Sequence, residues 1–446
     1  MPFPGRRTSG KDHKTYYQSR NKNQKISSIS AQDNSSRARN HAASKSRTRK
    51  KDPGYFDYSL LAVIIILICF GLVMLYSASA YEAKNDPLIN NDMYYFNRQA
   101  FFSALSIIVA LVVSKINYHL WIRLAPAIYV LSMILMAMVR FSPFGVTVNG
   151  ARRWLKIGIQ FQPAEIAKIA IIVFMPYMIM LMGRNLNSWK AVFWLLVFGG
   201  AQAAGAYLLT DNLSTAIIIA GIVIGIIFLA HPKTRPFIII ALIAAAFIIV
   251  ALILLNQYVS TSTSFRLRRI LAWLHPEENL SSESYQVLQG LYAIGSGGFF
   301  GKGLGNSVQK LSIIPEAQND MIFAIICEEL GLFGALLLML LFGYMLYRLF
   351  VIAQNAPDLY GTLIVSGIFI HISLQVILNI AVVLNVIPTT GVTLPFVSYG
   401  GTSVLFIMLE MGIALNVARS IRNNETDEVR RFQKAFPESK SSVTRS

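Results

Sequence analysis

The chain has 446 residues, 54% of them hydrophobic and only 14% charged. Soluble domains carry about 25% charged residues, so an ordinary globular protein is excluded; the two cysteines, Cys69 and Cys327, both lie in apolar runs, which excludes a disulfide framework or a metal knuckle. The net charge of +18 would suit a nucleic-acid binder, but where it sits along the chain gives it another meaning.

Residues 1–53 hold 14 Lys and Arg against three Asp, among many Ser, Asn and Gln. Such a segment buries too little apolar surface to offset its ordering entropy, so residues 1–54 are expected to form a disordered basic tail. The stretch from Arg419 onward is also basic, and residues 424–446 read as a C-terminal tail. The two ends supply +11 and +3 of the total and leave the body at +4. Solubilising, orienting tails explain this distribution, and no nucleic-acid partner is expected.

The first apolar run, from Tyr58 to Tyr76, is longer than a signal-peptide core of about 7–15 residues and is expected to remain as an uncleaved span. A hydrocarbon core needs roughly 20 apolar residues as helix. Ten segments qualify: 58–79, 99–114, 121–139, 163–183, 190–209, 213–230, 236–255, 321–347, 360–384 and 401–418. No strict alternation marks them as barrel strands, so the expected fold class is an all-α polytopic membrane protein with ten transmembrane helices. Placing the N-terminal tail inside makes cytoplasmic the short loops that carry Lys115 and Arg123, Arg184 and Lys190, Lys233 and Arg235, and Arg348. Both termini are then cytoplasmic, and a large extracellular loop, 256–320, joins the seventh and eighth helices.

Two outer segments break the charge rule. Residues 140–162 carry Arg140, Arg152, Arg153 and Lys156, and residues 256–320 carry Arg266, Arg268, Arg269, Lys302 and Lys310. Basic residues retained on the translocated side fit an anionic ligand such as a phosphate-bearing lipid. Headgroup contact by interfacial helices explains them equally well.

Ionisable residues inside spans are costly and mark candidate sites. Glu165 and Lys168 share one face of the fourth span, as a helix-locking pair or as part of a site. His371, Gln375 and Asn379 recur every four residues along the ninth, which predicts interhelical hydrogen bonding. Glu410, Glu328 and Glu329 are expected to pair with other helices. Six glycines within residues 295–305 permit tight turns and close backbone approach. Asp320 follows, where the outer loop enters the eighth span. A half-desolvated carboxylate there could act as a base; an N-cap of that span is the competing reading.

Five runs combine at this point: Asn149-Gly150-Ala151-Arg152-Arg153-Trp154; Gln162-Pro163-Ala164-Glu165-Ile166-Ala167-Lys168; Gly303-Leu304-Gly305-Asn306-Ser307-Val308-Gln309-Lys310-Leu311; Pro315-Glu316-Ala317-Gln318-Asn319-Asp320, followed by Glu328-Glu329-Leu330-Gly331; and Pro388-Thr389-Thr390-Gly391 through Leu394-Pro395-Phe396-Val397-Ser398-Tyr399-Gly400-Gly401-Thr402-Ser403. Together they resemble the SEDS polymerases (FtsW, RodA, SpoVE) of bacterial cell-wall synthesis over residues 55–423. The Gly-Asn-Ser-Val-Gln-Lys-Leu wording is most similar to the division branch. One departure is Asn212, which stands where family members often carry Asp.

The resemblance implies a peptidoglycan glycosyltransferase that polymerises lipid II on the outer face of the cytoplasmic membrane, for septal wall synthesis. It carries the catalytic carboxylate to Asp320. It makes Glu165 and Lys168 a buried polar pair that shapes the substrate cavity. Arg152, Arg153, Arg269 and Lys302 are candidate pyrophosphate contacts, and Ser398, in the last run, is a further substrate-binding candidate. No protein ligand cluster for a metal is visible, although a divalent cation (Mg2+ or Mn2+) could share the pyrophosphate charge. The implied partners are lipid II, a class B penicillin-binding protein and other division-complex membrane proteins. A lipid II flippase or a non-catalytic division scaffold are the competing functions.

Overall fold

The computed structural model describes residues 56–239 and 282–435, apart from Asn149 and residues 312–313, together with a few positions between 242 and 274. The tail at 1–54, most of the seventh expected span, the basic residues 266–269 and the end of the C-terminal tail lie outside the described residues.

Among the described residues nine helices are long and apolar enough to cross a membrane, which makes this a polytopic helical membrane protein. They are α1 (Tyr58–Asn85), α2 (Tyr94–Val113), α3 (His119–Phe141), α4 (Pro163–Met182), α5 (Trp189–Thr210), α6 (Leu213–Ala230), α8 (Ile322–Gln354), α9 (Leu359–Val383) and α10 (Thr402–Ala435), the last crossing with Thr402–Ile421. A shorter helix, α7 (Ser282–Gly297), precedes α8. Several helices outrun the expected spans because hydropathy reports only the lipid-embedded turns. Asp57 starts α1 by accepting from the Leu60 amide at 3.0 Å, and Asp86 ends it by donating its amide to the Glu82 carbonyl.

The body is mostly helical, not wholly so. Between α3 and α4 runs an antiparallel sheet of β1 (Gly145–Val148), β2 (Ala151–Ile157) and β3 (Ile159–Phe161), in the order β1-β2-β3. The two-residue Asn149-Gly150 connection is a hairpin signal, with Gly150 at φ +75°, and the chain reverses again at Gly158 with φ +74°. Val146 opposes Trp154 and Leu155 opposes Phe161. Leu155 is fully buried and anchors the sheet on the helices.

Helix contacts are close where side chains are small. A Cβ at Gly412 of α10 would lie 2.8 Å from the Ala110 carbonyl of α2. Helix α8 is broken at Gly331 (φ 68°, ψ −165°). Backbone groups freed within a membrane span must be met from inside the protein, and the glycine-rich loop after α7 meets them. Leu332 and Phe333 donate to the carbonyls of Gly298 and Phe299, each at 3.0 Å, while Lys302 and Gly303 donate to those of Glu328 and Glu329, each at 2.9 Å. The approach is so close that a Cβ at Gly331 would sit 2.3 Å from Gly301 N and 2.5 Å from Phe299 O.

Gly331→Ala therefore meets both a left-handed φ and a backbone collision. We expect a loss of more than about 2 kcal/mol, read as a clear drop in the Tm of the purified protein in detergent. A Tm equal to the parent's would contradict this packing.

Candidate active site

The loop that packs on the α8 break is also fixed by charge. Glu328 and Glu329 are both fully buried. Lys302 Nζ lies 2.7 Å from Glu328 Oε1, and Lys310 Nζ lies 2.8 Å from Glu329 Oε1. Ser307 donates its hydroxyl to Glu328, whose carboxylate also accepts from the amides of Val308 (3.2 Å) and Gln309 (3.3 Å). Ser77 of α1 donates to Glu329 at 2.7 Å. Burying a charge is tolerable only when it is paired and hydrogen-bonded, and each carboxylate here is both. The expected partners were other helices; Ser77 is one, but the lysines come from the loop.

The segment that carries Asp320 runs from this fixed loop into α8. Asp320 is half-buried. The N-cap position of α8 belongs to Met321, which makes no side-chain cap bond, so Asp320 lies one residue outside the cap. Gln286 of α7 donates to Asp320 Oδ1 at 3.5 Å. A Cβ at Gly391, in the loop between α9 and α10, would lie 4.0 Å from Asp320 Oδ2. Below it, the α9 stripe bonds to other helices at His371 and Gln375, as its spacing predicts, and to loop carbonyls at Gln375 and Asn379. Asn379 donates to the main-chain carbonyls of Asp320 (2.8 Å) and Val392 (2.7 Å). Gln375 donates to the Thr393 carbonyl at 3.1 Å and accepts from Lys168 at 3.5 Å. His371 meets Glu410 of α10 at 2.8 Å. Lys168, only 2% exposed, also pairs with Glu165 at 2.9 Å. The Glu165–Lys168 pair is thus linked by two hydrogen bonds, through Gln375, to the loop that flanks Asp320.

The remaining sequence-derived candidates make contacts of their own. Arg152 of β2 donates to the Ser142 carbonyl at 2.6 Å, at the C-terminal end of α3. Arg153 donates to the Asp211 carbonyl at 3.3 Å, and the Asp211 carboxylate lies 3.8 Å from Arg140. Ser398 is buried, and its hydroxyl accepts from the Leu394 amide at 2.8 Å, closing its own turn. Arg269 falls outside the described residues. Sequence reasoning gave no role to Gln286, nor to Gln99 of α2, whose Oε1 accepts from the Gly400 and Gly401 amides and so holds the turn before α10. Neutral amides leave no charge anomaly, so only their position in the fold identifies them. Burial pushes the Tyr399 phenol above its usual range, and Tyr399 N donates to the Gln318 carbonyl at 2.9 Å. Among the described residues no three His, Cys, Asp or Glu side chains are grouped to hold a metal ion. An apolar cavity of about 630 Å³ lies beside the fixed loop, lined by Val73, Tyr76, Ser77, Met93, Phe96 and Lys310 among others.

Residues 58–423 match the cell cycle protein family FtsW/RodA/SpoVE. The chain belongs to that family. It is 36% identical over 377 residues to the stage V sporulation protein E of Bacillus subtilis, covering 84% of this chain and 99% of that one. It is 33% identical over 380 residues to a probable peptidoglycan glycosyltransferase FtsW of Coxiella burnetii, covering 84% and 100%. Among solved structures it resembles a chain from work on the coordination of polymerization and crosslinking by a peptidoglycan synthase complex, with a TM-score of 0.67 and 26% identity over 82% of this chain and 98% of that one. A mutant of the Thermus thermophilus rod shape determining protein RodA aligns with a TM-score of 0.57 at 25% identity, covering 82% and 98%.

Family membership also gives Asn212 a physical reading. Asn212 is the N-cap of α6, and its Oδ1 accepts from the Thr215 amide at 3.0 Å. Asp and Asn cap equally well, so this position needs an oxygen and not a charge. Asn212→Asp should keep parental stability and activity, while Asn212→Ala should cost about 1 kcal/mol in thermal unfolding. The buried ion pair gives a second test. Breaking one partner leaves an uncompensated charge, at a cost of roughly 3–5 kcal/mol, so Lys310→Met should lower Tm far more than Lys310→Met combined with Glu329→Gln. Equal losses in the single and double variants would mean that the pair is not the source of the loop's fixation.

Proposed function

We propose that this protein polymerises lipid II as a peptidoglycan glycosyltransferase, with Asp320 as the general base. The observation that carries this reading is the placement of Asp320. It is half-buried at the mouth of α8, outside the cap position, with Gln286 on one side and the Gly391 turn on the other. That is a partly desolvated carboxylate beside an amide donor and a close glycine turn, in a family whose relatives are named as probable peptidoglycan glycosyltransferases.

In the step we infer, Asp320 takes the proton from the 4-hydroxyl of one lipid-linked disaccharide. The hydroxyl oxygen forms a bond to the anomeric carbon of the muramyl sugar on the growing chain. The bond from that carbon to the lipid pyrophosphate breaks, and the pyrophosphate leaves with the electron pair. One direct displacement inverts the anomeric centre. A pyrophosphate leaving group needs cations more than a general acid, so one carboxylate suffices where glycosidases use two. Arg152, Arg153 and Arg269 are the proposed pyrophosphate contacts. A contact by Lys302 would compete with its pair to Glu328 at 2.7 Å.

The reading extends to topology and partners. Ten spans with both termini cytoplasmic would put residues 256–320 and Asp320 on the outer face. The apolar cavity beside Ser77 and Lys310 offers room for hydrocarbon between spans. The resemblance to a chain of a peptidoglycan synthase complex supports a class B penicillin-binding protein as the crosslinking partner, and similarity to FtsW proteins supports a role at the division septum.

Losing a general base costs about 10²–10⁴-fold in rate. Asp320→Asn, purified with its cognate partner and given lipid II, should show a loss of that size in glycan polymer formed. Parental polymerisation would remove Asp320 from the mechanism. Labelled lipid II that crosses vesicle membranes without forming polymer would mark a flippase instead.

A further inference from the structure

Asn379 lies near the C-terminal end of α9 and is fully buried, yet it is polar. An amide in an apolar span needs a partner to be tolerated, and a single bond to a neighbouring helix would supply one. Asn379 does something more specific. Its one amide nitrogen donates to Asp320 O at 2.8 Å and to Val392 O at 2.7 Å. Those two carbonyls belong to segments remote in sequence, and both border the same carboxylate: one is the main chain of Asp320, the other follows Gly391. The next polar residue of the stripe repeats the pattern, with Gln375 donating to Thr393 O at 3.1 Å. Asn379 Oδ1 is buried without a protein partner, so the residue is held by its donor side alone.

We propose that Asn379 is a positioning residue for Asp320. Its amide sets the separation between the Asp320 main chain and the turn at 391–393, and so fixes where the carboxylate stands relative to that turn. Asn379 touches no reacting atom in this account; it acts through Asp320, and the proposal rests on the reading of Asp320 as the base. A displacement of about 1 Å in a reacting group can cost about a hundredfold in rate, and loss of both bonds releases a constraint of that scale.

The test compares Asn379→Leu and Asn379→Ser with the parent, in the full-length protein with its cognate partner, by polymerisation kinetics on lipid II and by Tm. Leu removes both bonds; Ser is too short to keep both, and decides the matter alone if the Leu variant does not fold. The expected result is a fall in kcat of about a hundredfold per folded molecule for Leu, a smaller fall for Ser, and KM for lipid II unchanged, the pattern of a lost transition-state constraint. Parental kcat in a folded variant overturns the proposal. So does a rise in KM at constant kcat, or an activity loss matched by loss of folded protein alone. Asp320→Asn assayed in parallel separates the two ideas. If it is inactive while the Asn379 variants keep parental kcat, only the positioning role fails; if it is fully active, the reading of Asp320 as base fails.

Discussion

Two adjacent carboxylates buried in an apolar helix set the terms for this end of the molecule. Burying Glu328 and Glu329 there is tolerable only with cations and hydrogen-bond donors brought to them. The glycine-rich loop supplies both, through Lys302, Lys310, Ser307 and the amides around residue 308. Once those bonds form, the loop cannot leave without stranding two buried charges. The break at Gly331 completes the arrangement, because the loop's carbonyls and amides replace the intrahelical partners that the break removes. The short segment that carries Asp320 is therefore tied at both ends, to the fixed loop on one side and to α8 on the other.

A second set of constraints rises through the bundle. Hydrocarbon offers no water, so each buried polar side chain must find its partner within the protein. Glu165 and Lys168 of α4, His371, Gln375 and Asn379 of α9, and Glu410 of α10 find one another or the loop carbonyls near the site. These bonds tie three helices to the two segments that border Asp320. A surface reaction on a lipid-linked sugar gains from that stiffness, because the base we propose, Asp320, is presented by rigid elements and not by a free loop.

Much of this was legible in the sequence, and the gaps have physical causes. Hydropathy located the nine spans seen among the described residues, because a membrane imposes a length on every helix that crosses it. The four-residue recurrence of His371, Gln375 and Asn379 announced one bonded face. The sheet between α3 and α4 stayed hidden: its strands are short, and the Asn149-Gly150 and Gly158 turns were overshadowed by the basic residues they connect. Lys302 and Lys310 read as exported cations facing a ligand, since their acidic partners lie about twenty residues away, on a helix, where no local periodicity joins them. The choice between base and helix cap for Asp320 depended on where α8 begins, a boundary that sequence patterns place only to within a few residues. The structure starts the helix one residue too late for Asp320 to be its cap.

The central claim is that the acceptor sugar meets Asp320 at the mouth of α8. A structure of the full-length protein bound to a non-reactive lipid II analogue measures this directly. The account predicts the acceptor 4-hydroxyl within about 3 Å of an Asp320 carboxylate oxygen, or one water away, with Asn379 still bonded to the Asp320 and Val392 carbonyls. An analogue whose 4-hydroxyl sits beyond the reach of Asp320, with another side chain in its place, would contradict it.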